Sequence, residues 1–138
     1  MRRAFIPDEK TWEELGELVV ERIILGVTDQ TGVDGRPLKV NEEGTLRRKA
    51  ARGLPLVSLL DAERRFLDRA TYEVEADGDG ATVWVNPDRA PPEMLEGLAA
   101  RGYDNWFGVS PETQDLISER LADLAERVLA EPGGEVSR

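Results

Sequence analysis

The sequence predicts an α+β fold in which two amphipathic helices, one near each end, pack on a small antiparallel β-sheet. Apolar residues recur at helical spacing over residues 12–25 and again over residues 111–131. Between them, apolar and polar residues alternate on both sides of a Gly/Asp turn at residues 71–86, which is typical of a β-hairpin. The length of 138 residues suits one domain with one modest core. We assign residues 1–131 to this domain and predict that residues 132–138 form a disordered tail.

The first helix is predicted from a capping-box pattern, in which the Thr11 hydroxyl caps the first turn and the Glu14 carboxylate bonds back to the backbone. It should cover residues 12–25 and end at Gly26. The glutamates of this stretch occupy the opposite, solvated face. Its apolar stripe is predicted to contain Trp12, Leu15, Val19 and Ile23, widened by Leu18, Val20 and Ile24.

Residues 27–55 contain several glycines, two prolines and no sustained periodicity. The sequence predicts a tight turn at residues 33–36 and then a long extended arm. A loop of this length in a small domain commonly binds a partner or becomes ordered against one. Residues 56–69 place apolar side chains at mostly helical spacing, so a short helix is predicted there.

The predicted hairpin joins residues 71–76 to residues 81–86, with Tyr72 and Val74 on one face opposite Val83 and Val85. A short helix is predicted next, from the Pro91-Pro92 pair to about Ala100. Ser110 and Pro111 then mark the start of the last helix, because serine is a favoured N-cap and proline suits the first helical position. The apolar stripe of this helix is predicted to be Leu116, Ile117, Leu121, Leu124, Val128 and Leu129.

The net charge of −10 is unevenly distributed along the chain. Residues 1–35 have 4 basic and 8 acidic side chains, residues 36–70 have 9 and 5, and residues 71–138 have 5 and 15. A basic middle between acidic ends can pair with its own flanks or with the acidic face of another copy. A nucleic-acid-binding domain would be more basic than this chain, so no specific nucleic-acid binding is expected.

Several function classes are disfavoured by composition. The chain has no cysteine and no histidine, so it lacks disulfides, the commonest general base and the commonest metal ligand. No apolar run approaches the length of a membrane span, and no signal-peptide apolar region follows Arg2 and Arg3. No serine has a histidine to activate it. The sequence therefore predicts a protein that is not an enzyme and uses no metal or cofactor.

Residues 28–37, with the letters T-D-Q-T-G-V-D-G-R-P, form a conspicuous turn after the first helix. A calcium loop centred on Gly35 would place Asn41 where a bidentate glutamate is required. A phosphate-binding loop would follow a strand and end in Gly-Lys-Ser/Thr, and neither feature is present. A structural turn is favoured. Its residues, with the glycine of the later aromatic stretch, are Gly32, Asp34, Gly35, Pro37 and Gly108.

Two stretches are candidate interfaces. The first comprises basic residues of the predicted arm, which either form a solvated surface or pair with an acidic neighbour. These residues are Arg36, Lys39, Arg47, Arg48, Lys49 and Arg52. The second is the aromatic pair Trp106 and Phe107. Either both rings belong to the core, or one projects as an interface anchor, because aromatic residues are enriched at binding hot spots.

The order of these features resembles that of the phage virion morphogenesis family, small tail-completion or neck proteins of tailed phages and Mu-like prophages. The resemblance rests on the first helix, then Gly32-Val33-Asp34-Gly35-Arg36-Pro37, and later Trp106-Phe107-Gly108-Val109-Ser110 before the last helix. It covers roughly residues 5–130. The chain departs from the family where a Leu-x-x-Thr-Gly-x-Leu element is common, because residues 59–66 keep the apolar spacing and lack the Thr-Gly.

The resemblance implies a structural virion protein, made in the bacterial host cytoplasm and located at the tail neck. It implies a homo-oligomeric ring, with a hexamer as the expected form, that contacts the tail tube protein and the head-completion or connector proteins. Such a ring needs two different patches that meet between copies. Two alternatives remain: a head-closure or adaptor connector of the same virion, and a monomeric intracellular adaptor that binds an acidic protein.

Overall fold

The computed structural model describes residues 6–54, 56–61 and 63–130. These residues form four α-helices and one two-stranded antiparallel sheet, so the predicted α+β class, with a helix near each end, is confirmed. The predicted disordered tail lies outside the described residues. In chain order the elements are α1 (Glu9–Asp29), α2 (Glu43–Ala51), β1 (Tyr72–Ala76), β2 (Ala81–Val85), α3 (Pro92–Ala100) and α4 (Pro111–Ala130), with 3-10 turns at Arg65–Leu67 and Arg69–Thr71 before β1.

Helix α1 is longer than predicted at both ends. The Asp8 carboxylate accepts a hydrogen bond from the Thr11 amide at 2.8 Å, so Asp8 is the N-cap and the prediction for Thr11 was wrong. The helix passes through Gly26 and ends at Asp29, and its C-cap residue Gln30 has the left-handed φ of 58°. A glycine is required at position 26 because the backbone of Thr31 packs directly against it. A Cβ atom at this position would lie 2.9 Å from the carbonyl oxygen of Thr31.

The core forms where the apolar stripe of α1 meets the hairpin and the aromatic residues. As predicted, α1 buries Leu15, Val19, Val20 and Ile23. The close approach of α1 to the hairpin requires a glycine at position 16, because a Cβ there would lie 2.4 Å from a methyl carbon of Val74 on β1. The other buried apolar side chains of the core are Val27, Leu38, Leu59, Phe66, Tyr72, Ala90, Tyr103 and Trp106.

The hairpin has the predicted register. Tyr72 pairs with Val85 and Val74 with Val83, and these four residues share the face that packs on the core. Tyr72 is fully buried and its hydroxyl donates to the carbonyl of Phe66 at 2.7 Å, while burial raises the pKa of Tyr72. The opposite face of the hairpin carries Glu73, Glu75, Thr82 and Trp84.

The predicted extended arm is wrong over much of its length. Its first residues belong to α1, Thr31 and Pro37 form an isolated β-bridge, and α2 occupies the stretch Glu43–Ala51. Helix α2 escaped prediction because Leu46 is its one large apolar side chain, which leaves no period to detect. Its sequence is nevertheless rich in good helix formers, and Glu43 pairs with Arg47 one turn later at 3.5 Å.

The short helix predicted at residues 56–69 is replaced by the two 3-10 turns. Leu59 and Arg64 both have positive φ angles, of 62° and 52°, which an α-helix cannot contain. The predicted helix before Gly102 is confirmed as α3, and α4 begins at Pro111 as predicted. The Ser110 hydroxyl caps α4 by accepting from the Thr113 amide at 3.0 Å.

An ion pair between α1 and the second 3-10 turn gives a pH-dependent prediction. Arg69 Nε donates to Glu17 Oε1 at 2.6 Å, and this hydrogen bond lowers the pKa of Glu17 below its usual value of 4.5. A depressed carboxylate pKa stabilises the fold above pH 4.5, and that stability is lost as the pH falls through the folded-state pKa. Both side chains are about half exposed, so we expect Glu17→Gln to lower the free energy of unfolding by at most about 1 kcal/mol at pH 7. Urea titrations at pH 7 and pH 3 should show the difference from the wild type shrinking in acid, whereas an equal difference at both pH values would contradict the assignment.

Candidate functional site

The two stretches that carry the family resemblance meet in the fold. The Val33 amide donates to the Asn105 carbonyl at 2.7 Å, and Asn105 Nδ2 donates to Asp34 Oδ1 at 3.0 Å. Gly32 is buried directly against Asn105, where a Cβ would lie 2.2 Å from Nδ2. The turn after α1 is therefore joined to the segment before α4 across 71 positions of sequence.

Gly32, Asp34 and Gly35 take part in a tight reversal of the chain. Gly35 has a φ of +80°, and the Gly32 amide donates to the Arg36 carbonyl at 2.7 Å. The Asp34 carboxylate accepts from the Arg36 amide at 3.0 Å. That bond, with the one from Asn105, lowers the pKa of Asp34. The Asp34 side chain therefore has a structural task in holding the turn.

A cleft of about 500 Å³ opens between this turn, the second half of α1 and the start of α4. Arg22 of α1 and Glu112 of α4 form an ion pair of 3.0 Å in its wall. Leu25 lines the cleft and is 43% exposed. Val109, which lies between the lining residues Gly108 and Ser110, is 40% exposed. The arrangement offers polar and apolar contacts to a macromolecular partner, while the described residues contain no group of three or more side chains suited to hold a metal ion.

Trp106 lies in the core of the chain. Its indole ring meets Phe66 edge-on at 4.8 Å between ring centroids and Phe107 at 5.5 Å, and Phe107 stacks on Tyr72 at 6.4 Å. Trp106 is 7% exposed, so the core interpretation holds for its ring. Phe107 is half-buried and also lines a surface groove. Gly108, with a φ of 144°, lies against the Val33 side chain at the junction with the turn.

The predicted basic residues separate into two groups. Lys39 and Lys49 hold their own chain together: Lys39 Nζ donates to the Arg101 carbonyl and lies 5.3 Å from the Tyr103 ring centroid. Lys49 Nζ donates to the Val57 carbonyl at 2.7 Å, and desolvation lowers the pKa of Lys49. The remaining four are exposed: Arg36 on the turn, and Arg47, Arg48 and Arg52 on or just after α2.

Two adjoining clefts of about 460 and 430 Å³ lie beside α2; Arg48 lines both of them and Arg52 lines the smaller. The larger cleft has an apolar wall that includes Phe66, Met94 and Leu98. Its charged lining residues are Arg48, Lys49, Arg101, Glu42 and Asp61. An apolar floor with charged groups of both signs, the basic ones in excess, suits an amphipathic protein segment. The basic stretch thus lies on a helix where the sequence predicted an extended arm.

The hairpin is an acidic surface of the same chain. Residues 72–85 contain Glu73, Glu75, Asp77 and Asp79 and no basic side chain. Asp77 Oδ1 accepts from the amides of Asp79 and Gly80 at 2.7 and 3.1 Å, which holds the tip in one conformation. Trp84, 38% exposed, lies directly opposite Glu73 on the outer face. Charged and aromatic groups on one exposed face are suited to a protein interface.

Sequence reasoning missed several polar side chains that join distant segments of the chain. Gln30, the left-handed residue after α1, binds both the amide and the carbonyl of Ser58 through its side-chain amide, each at 2.9 Å. Asn41 Nδ2 donates to the Val57 carbonyl at 3.1 Å. Arg65 is similarly central, because its guanidinium binds Asp61 at 2.6 Å and the Arg89 carbonyl at 2.9 Å. Because these contacts join segments that are distant in sequence, no local sequence pattern predicts them.

Compared with protein-family models, curated proteins and solved structures, this α+β chain has no match. None of the helices in the described part of the chain combines the length and apolar character required to cross a membrane.

Proposed function

We propose that this protein is a structural assembly component that forms a homo-oligomeric ring. The observation that carries the proposal is the pair of distinct, oppositely charged surfaces on one chain: the exposed arginines of α2 and the acidic hairpin. Two different patches that complement each other generate a head-to-tail interface, and such an interface closes into a ring when the rotation per subunit permits it.

The geometry supports an interface at both patches. Among the described residues, Arg48 and Arg52 make no ion pair with a carboxylate, so their charges are available to a partner. The hairpin carboxylates lie on a short two-stranded element whose tip is held by its own aspartate. Both patches are therefore built on ordered elements, which lowers the entropy cost of association.

The particular setting that we propose is the neck of a tailed phage or prophage, as a tail-completion or tail-terminator component at the head–tail junction. This step rests on the sequence resemblance. It is supported by the finding that the resembling stretches, residues 32–37 and 106–110, form one structural junction. Its partners there would be the tail tube protein and a head-completion protein. A head-closure position in the same virion is the alternative, and identifying the proteins that co-purify with assembled particles decides between them.

A charge reversal at α2 tests the ring. We expect Arg47→Glu/Arg52→Glu to abolish oligomerisation and leave the thermal unfolding midpoint nearly unchanged, because both side chains are exposed and bind no other element of the chain. Lys49 is left intact since its ammonium group holds Val57. The measurement is native mass over a concentration series at low and high salt. The wild type should give a discrete ring-sized oligomer that dissociates in salt, since surface charge pairing is screened.

The matched control is Lys10→Glu/Arg120→Glu, which reverses two exposed charges on α1 and α4 and should keep the oligomer. A double mutant at α2 with the wild-type mass would refute the charge-paired interface. A wild-type protein that stays monomeric at every concentration and salt would refute self-assembly. It would instead favour a monomeric adaptor whose α2 surface binds an acidic protein.

A further inference from the structure

Trp84 is a large aromatic side chain on the outer face of the hairpin, where it is 38% exposed. Strand alternation puts Glu73, Glu75 and Thr82 on the same face, with Glu73 directly opposite Trp84 and Glu75 diagonal to it. Directly opposed residues have Cβ atoms about 5 Å apart, and diagonal neighbours have them about 7–8 Å apart. This face therefore carries one indole ring with two carboxylates close beside it.

The two carboxylates are not paired with a cation of their own chain. In the part of the chain that the structure describes, no ion pair involves a residue of the hairpin. Glu73 accepts one hydrogen bond, from Asn86 Nδ2 at 3.1 Å, and Glu75 is exposed. Arg69, which lies near Glu73, already binds Glu17 at 2.6 Å. An exposed tryptophan beside uncompensated charges is the composition of a binding surface, because tryptophan is enriched at interface hot spots and charge selects the partner.

The larger cleft beside α2 has the complementary charges. Its two carboxylates, Glu42 and Asp61, are each paired with a cation of the same chain, at 3.5 and 2.6 Å. Lys49 is held by a backbone carbonyl at 2.7 Å. Arg48 and Arg101, which also line the cleft, make no ion pair with a carboxylate in residues 6–54, 56–61 and 63–130. The charges that this cleft has left for a partner are therefore positive.

The same cleft has the size and the walls that an indole ring requires. Its volume is about 460 Å³, and a cavity of about 150 Å³ already accommodates a benzene ring. Phe66, Met94 and Leu98 are among its apolar lining residues. A methionine sulfur makes favourable contacts with aromatic rings, and an arginine guanidinium stacks on an indole face. The cleft thus offers both kinds of contact to a tryptophan side chain.

We propose that Trp84 of one copy enters this cleft of a second copy, while Glu73 and Glu75 pair with Arg48 and Arg101. The inference rests on the proposed function and deepens it. Charge pairing between α2 and the hairpin requires no particular anchor, whereas this contact assigns the anchor to one aromatic side chain and its binding site to one cleft. Association then buries a large apolar ring that the single chain leaves exposed to water.

The proposed contact joins two copies and does not form within one chain. The inner face of the hairpin packs on the core, where the Tyr72 hydroxyl donates to the Phe66 carbonyl at 2.7 Å, and Phe66 also lines the cleft. Trp84 lies on the opposite face. Moving it to the inner face would shift the strand register by one residue and expose Val83 and Val85. Two different surfaces of the chain therefore meet between copies, which is a head-to-tail contact.

Trp84→Ala tests the anchor. We expect it to weaken self-association by about 30-fold or more, the effect of truncating an interface hot spot, and to leave the thermal unfolding midpoint nearly unchanged. The measurement is native mass over a concentration series at low salt. Leu129→Ala is the control, because Leu129 is 51% exposed on α4, outside both surfaces, and should associate like the wild type.

A mixing experiment tests whether the two surfaces meet each other. The Trp84→Ala protein keeps an intact cleft, and the Arg48→Glu/Arg101→Glu protein keeps an intact hairpin. Each variant alone should be monomeric and folded by circular dichroism, since the three substituted side chains are exposed. Mixed in equal amounts they should form a 1:1 heterodimer and nothing larger, because only one competent pair of surfaces remains.

A Trp84→Ala protein that oligomerises like the wild type would overturn the proposal, and so would a mixture that stays monomeric at the concentrations at which the wild type assembles. If Arg47→Glu/Arg52→Glu dissociates the oligomer while Trp84→Ala does not, the ring stands and the Trp84 contact is wrong. If the wild type is monomeric at every concentration and salt, the proposed function fails and this contact fails with it.

Discussion

Trp106→Ala is expected to lower the free energy of unfolding by about 3–5 kcal/mol, the usual cost of truncating a buried aromatic ring. The indole ring is 7% exposed and packs edge-on against Phe66 and Phe107 at 4.8 and 5.5 Å between centroids. Its removal leaves a cavity between the junction and the aromatic core. A domain of this size has a total stability of only about 5–15 kcal/mol, so the loss is a large fraction of the total and should lower the midpoint of thermal unfolding clearly. Chemical denaturation followed by far-UV circular dichroism measures the change.

The same substitution distinguishes the two interpretations of the aromatic pair. Trp106→Phe should lower the free energy of unfolding by less than Trp106→Ala does, because it keeps an aromatic ring in the same site. Trp84→Ala provides the matched control on the hairpin's outer face, where the ring is 38% exposed, and should change stability by less than about 1 kcal/mol. A Trp106→Ala protein that unfolds like the wild type and merely fails to oligomerise would show that the ring is an interface anchor.

Gly32→Ala is expected to destabilise the fold by about 1–3 kcal/mol, the cost of overpacking a filled site. A methyl group there would lie 2.2 Å from Asn105 Nδ2 and 2.7 Å from the Asn105 carbonyl oxygen. The side chain can rotate away, but the carbonyl accepts the hydrogen bond from Val33 and belongs to the backbone. The clash with this carbonyl can therefore be removed only if the turn and the segment before α4 move apart. Thermal unfolding in parallel with the wild type measures the loss.

Gly44→Ala is the control for Gly32→Ala, because it should stabilise the fold and not destabilise it. Gly44 lies in the first turn of α2, and the place that an added methyl group would occupy has no neighbouring atom within 4 Å. Alanine is the better helix former, so this change should raise stability by up to about 1 kcal/mol. Equal effects of the two substitutions would contradict the assigned contact between Gly32 and Asn105.

Much of the secondary structure was determined by the sequence alone. The stripe of α1, the alternation of the hairpin and the Ser110-Pro111 start of α4 are local patterns with periods of 3.6 or 2, and burial of one face enforces them. The turn at Gly32–Arg36 was also predictable, because Asp34 and Gly35 have the backbone preferences that such a turn requires.

The tertiary structure decided which of these residues meet. Joining Gly32 to Asn105, and placing Trp106 in the core and not on the surface, depends on contacts between distant segments that leave no local period. Helix α2 has too few apolar residues to show a pattern. Asn41 and the helix's own Lys49 fix the segment beside it through hydrogen bonds to the Val57 carbonyl. The basic stretch was evident as charge in the sequence. Which of its residues hold their own chain and which face outward depended on the geometry, because charge alone does not specify a hydrogen-bond partner.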